Sequence, residues 1–153
     1  MKWPSAFSGS KIALFKGREI LVYRRDDNPG IPFPGLWDLP GGGREGDETP
    51  EECAFREVFE EFGICIKANR IYWSKSYPAA SPNGLPQCFF SGWLTNTDVA
   101  AIRFGDEGQA WSLMDVGAYL RLPDAIQTLQ HRVAEYLETQ ASHERRTDRS
   151  GQM

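Results

Sequence analysis

The chain has 153 residues, of which 41% are hydrophobic and 25% are charged, and its formal net charge at pH 7 is −4. This length suits one domain with a substantial buried core, and the composition is that of a globular protein rather than a disordered or fibrous one. Because the lysines and arginines are scattered, no basic stripe is available to bind the phosphates of a nucleic-acid duplex. We therefore expect no duplex as a partner.

The cysteines and the N-terminal residues bear on the cellular compartment. The chain has three cysteines, with no Cys-x-x-Cys pair and no histidine at metal-binding spacing, so we expect reduced thiols and no zinc site. No apolar run is long enough for a signal peptide or a membrane-spanning helix. These features predict a cytoplasmic protein without a membrane partner. The oligomeric state stays open, with a homodimer as one option.

The first forty residues predict a hairpin, a loop and a short strand. Apolar-rich runs over Lys11–Phe15 and Glu19–Arg25 are separated by a glycine-containing turn, which indicates two paired strands. Asp26–Leu36 is rich in proline and glycine and is expected to be an irregular loop. A short strand, Trp37–Leu39, then leads through Pro40 into three consecutive glycines.

The strongest helix signal begins at Thr49. Thr49 is a good N-cap, Pro50 suits the first helical position, and Glu52 completes a capping box. Gly63 is placed to end the helix. Between these signals one apolar stripe recurs at helical spacing and is predicted to be buried: Ala54, Phe55, Val58, Phe59 and Phe62.

The remaining chain predicts further strands, a second helix and a tail. Expected strands are Ile64–Ile66, Arg70–Tyr77, Gln87–Leu94 and Gln109–Leu113, with a loop at Ala79–Pro86. Pro123–Thr139 has helical periodicity, whereas the polar residues 142–153 are expected to be disordered. The pattern predicts a layered α/β domain over residues 1–141.

Three glutamates of the first helix form the most informative constellation. Glu57, Glu60 and Glu61 are three and four residues apart, which places them on one helix face, roughly opposite the apolar stripe. Such acids repel one another unless a cation lies between them, and a hard divalent cation takes oxygen ligands. The alternative is a solvated helix face.

These acids belong to a longer pattern. Five residues separate Gly42 from Glu48, and seven more precede Arg56-Glu57-Val58-Phe59-Glu60-Glu61-Phe62-Gly63-Ile64. The segment resembles the Nudix box, Gly-x5-Glu-x7-Arg-Glu-U-x-Glu-Glu-x-Gly-U with U apolar, and fills every position. The resemblance implies a mixed β-sheet sandwiched between helices and the metal-dependent hydrolysis of a diphosphate bond in a nucleoside diphosphate derivative.

The resemblance also implies roles for individual residues. Glu57, Glu60 and Glu61 are the expected ligands of Mg²⁺ or Mn²⁺, together with the backbone carbonyl of Gly41 or Gly42. The two glycines would also lie against the substrate phosphates. Glu57 or Glu60 is the first choice as general base. Glu107 corresponds to an extra acid that reaches the metals or serves as base in many members; the alternative is a turn residue.

Three further residues carry two interpretations each. Glu48 and Arg56 are expected to tie the glycine loop to the helix through a fork-shaped pair, or else to form a surface ion pair of under about 1 kcal/mol. Arg24, with its neighbour Arg25, either contacts substrate phosphate or ends a solvated strand. The strand aromatics Trp73, Tyr77, Phe89, Phe90 and Trp93 are more typical of a core than of a nucleobase site.

The residues before the box favour one substrate class. Trp37-x-Leu39-Pro40-Gly41-Gly42 resembles the start of the box in MutT-like members, which implies a (deoxy)nucleoside triphosphate, including oxidised forms, as substrate. The alternatives are ADP-ribose or nucleotide-sugar hydrolysis, and a Nudix-like domain that senses a nucleotide without cleaving it. No box acid is replaced, which favours turnover over sensing.

Overall fold

A computed structural model describes residues 3–151, with side chains through residue 145. Seven strands form one sheet, and four helices and a 3₁₀ turn at Ala68–Arg70 connect or flank them. The elements are β1 (Gly9–Lys16), β2 (Glu19–Arg24), β3 (Trp37–Asp38), β4 (Gly41–Gly43), α1 (Pro50–Phe62), β5 (Ile71–Tyr77), β6 (Gln87–Trp93), α2 (Asn96–Ala100), β7 (Ala110–Asp115), α3 (Val116–Leu120) and α4 (Gln127–Gly151).

The sheet is mixed. Its main order is β3-β2-β1-β6-β5, and β4 pairs with β1 while β7 pairs with β2. The β1–β6 pair is parallel, and the other pairs of named strands are antiparallel. β1 pairs along its length with β6 and also with β2 and β4, so it is the central strand. The glycine segment, β4, pairs with it directly.

Alternating side chains of the central strands build two cores, one on each face of the sheet. Ile12 and Leu14 of β1 pack with Val58 and Phe62 of α1. Ala13, Phe15, Ile20 and Val22 lie on the other face with Leu129 and Val133 of α4 and with Tyr119 of α3. This arrangement confirms the predicted mixed sheet between helices.

Several predicted elements differ from the structure. Ile64–Ile66 is not a strand: Ile64 and Ile66 are buried in the α1-side core without strand pairing. A short apolar run does not by itself distinguish a strand from a core-packed connection. The structure adds β4, α2 and α3, which the sequence pattern did not indicate.

The second long helix differs at both ends. It begins at Gln127 instead of Pro123 and continues to Gly151, so residues 142–151 are helical rather than disordered. Glutamate, glutamine, arginine and alanine are strong helix formers, and an existing helix extends at little cost. Residues 152 and 153 lie outside the described residues, and the assignment of 1–141 to a single domain stays a prediction. Among the helices of residues 3–151, none has the length and apolar character to cross a membrane.

Candidate active site

Local signals fix both ends of α1, as predicted. The Thr49 side chain accepts a hydrogen bond from the Glu52 N–H (3.2 Å), and the Glu52 carboxylate accepts one from the Thr49 N–H (3.0 Å). At the other end Gly63 has φ of 70° and donates its N–H to the Phe59 carbonyl (2.8 Å). The helix therefore starts and stops at residues that the sequence specifies.

The buried face of α1 is rotated from the predicted one. Phe59 is 55% exposed, whereas Glu61 is only 6% exposed. At about 100° per residue, Glu61 lies about 60° from the buried Val58 and Phe59 lies about 100° away. The expectation that all three acids lie opposite the buried stripe is therefore wrong for Glu61.

The glycine run forms β4 and lies directly against two of the acids. Gly41 has φ of 131°, and a Cβ there would lie 2.2 Å from the Ser10 carbonyl oxygen, so the β1–β4 pairing requires glycine. A Cβ on Gly42 would lie 2.6 Å from the carboxyl carbon of Glu57. The backbone of the loop and the acids of α1 thus share one small volume.

Glu61 is held inside this volume by the loop itself. The Gly41 N–H donates to its carboxylate oxygen at 2.9 Å. Burial raises the pKa of Glu61 to about 8, and the negative charges of Glu57 and Asp38 act in the same direction, while Lys11 and the Gly41 N–H oppose them. Burial also raises the pKa of Glu57. Burial is thus the largest cause of the raised pKa in both carboxyl groups.

Arg56 connects the loop with the acids. Its guanidinium donates two hydrogen bonds to Glu48, from Nε (3.0 Å) and Nη2 (2.8 Å), and Nη2 also donates to the Gly43 carbonyl at 2.8 Å. This is the geometry of the predicted fork-shaped pair. The pair keeps the pKa of Glu48 below its usual range.

The same guanidinium also reaches two of the acids, which the sequence did not reveal. Nη1 of Arg56 donates to Glu57 at 2.9 Å and to Glu60 at 3.2 Å. Glu60, with a side chain 52% exposed, is the most accessible of the three acids. Because Arg56 precedes Glu57 directly and Glu60 by four residues, the i,i+4 spacing is the signal that would have identified the second contact.

Two ionisable residues behind the loop were missed by sequence reasoning. Lys11 donates from Nζ to Asp38 and to the carbonyls of Leu39 and Gly41. Asp38 is 1% exposed. Both are charged residues in short runs that were predicted to be strands. Since a buried ion needs a partner, this pattern could have identified the pair.

The remaining candidates lie around the site. Gly105, in the loop before β7, donates its N–H to the Glu61 carbonyl (2.9 Å), and Gln109 donates its N–H to the Arg24 carbonyl (2.8 Å). This loop, which carries Glu107, therefore runs from the end of α1 to the end of β2. Within the described residues, Glu107 forms no hydrogen bond or ion pair with the three acids. Arg24 donates from Nε to the Gly35 carbonyl (3.0 Å) and is 43% exposed.

The strand aromatics belong mainly to the core. Phe89 and Phe90 are fully buried, and Trp73 and Tyr77 pack against the α4-side core. Trp93 is 41% exposed but pairs with Phe15, at the opposite end of β1 from the glycine loop. None of the five side chains is therefore placed as a platform beside the acids.

The acids provide suitable ligand chemistry for a hard cation. Carboxylate oxygens of Glu57 and Glu61 flank the glycine loop, with Glu60 beside them, and oxygen donors of this kind suit Mg²⁺ or Mn²⁺. Among the described side chains, no three His, Cys, Asp or Glu groups converge closely enough to hold a metal as they stand. Glu57 and Glu60 instead share hydrogen bonds from Nη1 of Arg56.

Comparisons with known proteins agree with this geometry. The family model described as NUDIX domain matches residues 9–137. An RNA pyrophosphohydrolase of Gluconacetobacter diazotrophicus is 45% identical over 127 residues, covering 71% of this chain and 75% of the relative. The structure of a MutT protein from Methanosarcina mazei Go1 has a TM-score of 0.70 at 20% identity, covering 91% of this chain and 99% of that one.

A second structural neighbour carries a metal. The bifunctional NMN adenylyltransferase/ADP ribose pyrophosphatase of Francisella tularensis, complexed with AMP and Mn ion, has a TM-score of 0.69 at 22% identity. The match covers 87% of this chain and 41% of that one, and at this identity it bears on the fold. From the family match and the first relative, the chain belongs to the Nudix family and is a hydrolase that acts on phosphorus-containing anhydrides.

Proposed function

We propose that this Nudix hydrolase cleaves a diphosphate bond in a (deoxy)nucleoside triphosphate, including oxidised forms, with Mg²⁺ or Mn²⁺ as cofactor. The observation that carries the proposal is the position of Glu57 and Glu61 against the glycine loop, with Glu60 exposed beside them. Phosphate oxygens placed there would be repelled by the carboxylates unless a cation lay between them. When bound, the cation would neutralise charge on the diphosphate oxygens.

The proposal separates the task of Glu61 from that of the other two acids. Glu61 is buried and fixed by the Gly41 N–H, which suits a permanent ligand whose position does not depend on substrate. Glu57 and Glu60 share hydrogen bonds from Arg56, and Glu57 also lies against Gly42; a carboxylate at either position could accept a proton from the attacking water. Both remain candidates for the general base.

Two outer residues complete the proposed site. Glu107 lies in the loop that bridges the end of α1 and the end of β2, which supports a role as an additional ligand or as an alternative base. Arg24 donates from Nε to the Gly35 carbonyl and forms an ion pair with Asp124 through Nη2 at 3.8 Å, and its side chain is 43% exposed. It is the proposed contact for a substrate phosphate distant from the acids.

A second candidate follows from the first relative. That relative is named an RNA pyrophosphohydrolase, so a phosphoanhydride on an RNA rather than on a free nucleotide is the competing substrate. The same acids would serve both reactions, and the two substrates differ in what is attached to the nucleoside. ADP-ribose is a third option, supported by a relative named ADP-ribose pyrophosphatase that is 39% identical over 69 residues and by a fold neighbour.

The substrate is tested with a panel under Mg²⁺: nucleoside triphosphates, oxidised triphosphates, RNA with a 5′-triphosphate, ADP-ribose and dinucleotides. Products are separated by chromatography, and phosphate and pyrophosphate release are followed. We expect the highest kcat/KM with a free triphosphate. A higher value with the triphosphate RNA selects the second candidate, and a higher value with ADP-ribose rejects both.

The role of the acids is tested separately with Glu60→Gln and Glu61→Gln. Each variant should lose turnover by at least about a hundredfold while keeping the fold, because glutamine retains the shape but not the charge or the basicity. Glu138→Gln, at an exposed position of α4, is the matched control and should behave as the wild type. Near-normal turnover in both site variants would refute the assignment.

A further inference from the structure

An ion cluster around the buried Asp38 lies next to the glycine loop. Oδ2 of Asp38 accepts hydrogen bonds at 3.0 Å from three donors, Lys11 Nζ, the Tyr23 hydroxyl and Arg25 Nη1, and Oδ1 accepts one from the Leu39 N–H at 2.7 Å. A buried carboxylate is tolerated only when it is paired and hydrogen-bonded in this way. The cluster is therefore a fixed point in the structure.

Lys11 connects this fixed point to the glycine loop. Its ammonium group has three N–H donors and uses them on Asp38 Oδ2 (3.0 Å), the Leu39 carbonyl (3.1 Å) and the Gly41 carbonyl (3.1 Å). All three acceptors lie within residues 38–41. One side chain from β1 thus holds the whole turn between β3 and β4.

Gly41 is the residue for which this restraint matters most. Glycine has the widest backbone freedom, and here it adopts φ of 131°. Its N–H donates to Glu61 and its carbonyl accepts from Lys11, so charged side chains fix the peptide groups on both of its sides. Releasing the carbonyl would remove one restraint, beside the β1–β4 pairing, on the backbone angles that aim the N–H at Glu61.

We propose that Lys11, anchored by Asp38, is a positioning residue for the hydrolysis: by fixing the Gly41 carbonyl it holds Glu61 in place to bind the divalent cation. This inference rests on the proposed function of the acids. It adds a residue outside the Nudix box to the functional set, and it assigns that residue no contact with substrate.

The test compares Lys11→Met and Lys11→Arg with the wild-type full-length chain. Methionine keeps the length of the apolar stem but removes the ammonium group, whereas arginine keeps a cation with several donors. Mn²⁺ affinity without substrate, kcat, KM and the thermal midpoint are measured for each. Lys67→Met, at an exposed position between α1 and β5, is the matched control.

For Lys11→Met we expect Mn²⁺ affinity and kcat each to fall by about tenfold or more, with KM nearly unchanged, in line with the usual effect of residues that orient metal ligands. Lys11→Arg should recover part of both losses. If Lys11→Met does not fold, Lys11→Gln replaces it, since this shorter neutral side chain cannot reach three acceptors together.

Two results would overturn the proposal. A lower thermal midpoint with wild-type Mn²⁺ affinity and kcat would leave Lys11 a purely structural role. Tighter Mn²⁺ binding in the neutral variant would mean that Lys11 acts on the site only through its charge. Failure of the proposed function gives a different result: the wild-type chain itself would take up no Mn²⁺ and hydrolyse no substrate. That result would contradict both the proposed hydrolysis and the proposed role of Lys11.

Discussion

Glu61 has a different environment from the other two acids of its helix. It is buried against the glycine loop, and its pKa is raised to about 8 by burial and by nearby negative charge. Glu60 is half-exposed and Glu57 lies between these extremes. The helix thus offers one carboxyl group fixed by the glycine loop and two that accept hydrogen bonds from Arg56.

Phe33 is the one described residue other than glycine with a positive φ, at 51°, and its side chain is 52% exposed. A left-handed conformation costs a residue with a side chain about 1–2 kcal/mol, and the exposed ring returns little burial. We predict that Phe33→Gly raises the free energy of unfolding by about 0.5–1 kcal/mol, after the entropic cost of glycine.

Chemical denaturation measures this change, and Phe33→Ala is its control. Alanine removes the ring but keeps a Cβ in the strained conformation, so it should bring no gain. An equal gain in both variants would mean that the ring, and not the backbone angle, destabilises the loop.

The connection between β4 and α1 depends on the Glu48–Arg56 pair. The hydrogen bonds from Arg56 lower the pKa of Glu48 in the folded state. A carboxyl group with a depressed folded pKa stabilises the fold above its unfolded pKa, about 4.3, and this contribution is lost as the pH falls through the folded value. Glu48→Gln should therefore cost roughly 1–2 kcal/mol at pH 7.

Denaturation of both proteins from pH 7 down to pH 3 checks the pH dependence. The difference in unfolding free energy between wild type and Glu48→Gln should narrow below about pH 4. Glu45→Gln is a suitable control, because Glu45 is 69% exposed and reaches Arg56 only at 3.6 Å. A gap that stays constant over this pH range would contradict the pairing.

Among the described side chains of α4, which end at residue 145, the last to pack into the α4-side core are Tyr136 and Leu137. We predict that deletion of residues 143–153 leaves kcat and KM unchanged, because the acids lie on the opposite side of the sheet. Steady-state kinetics on the truncated chain check this, and a large loss of kcat would place the tail within the site.

An element could be predicted from the sequence when the residues that determine it lie close together in the chain. The ends of α1 are set by Thr49, Glu52 and Gly63, which act within a few residues, and the prediction of this helix is confirmed. β4 could not be predicted because glycine has low strand propensity, and the strand exists only through pairing with β1. The strand prediction for Ile64–Ile66 is wrong because an apolar run does not show whether its residues pair with another strand.

The whole molecule places its candidate site where the central strand meets α1. Successive side chains of β1 belong alternately to the two cores, and the first residues of β1 pair with the glycine loop. The three acids and the Glu48–Arg56 pair were predictable because the box keeps them close in sequence. The Lys11–Asp38 contact was not, since 27 residues separate the two and only the folded sheet brings them together.

The central claim is that three neighbouring carboxylates beside a glycine loop hold a divalent cation. The most direct test is Mn²⁺ titration, followed by electron paramagnetic resonance of the free ion, on the wild type and on Glu57→Gln/Glu60→Gln/Glu61→Gln. We predict uptake by the wild type and a loss of affinity of at least about a hundredfold in the triple variant. Equal uptake by the two folded proteins, or none by the wild type with nucleotide present, would contradict it.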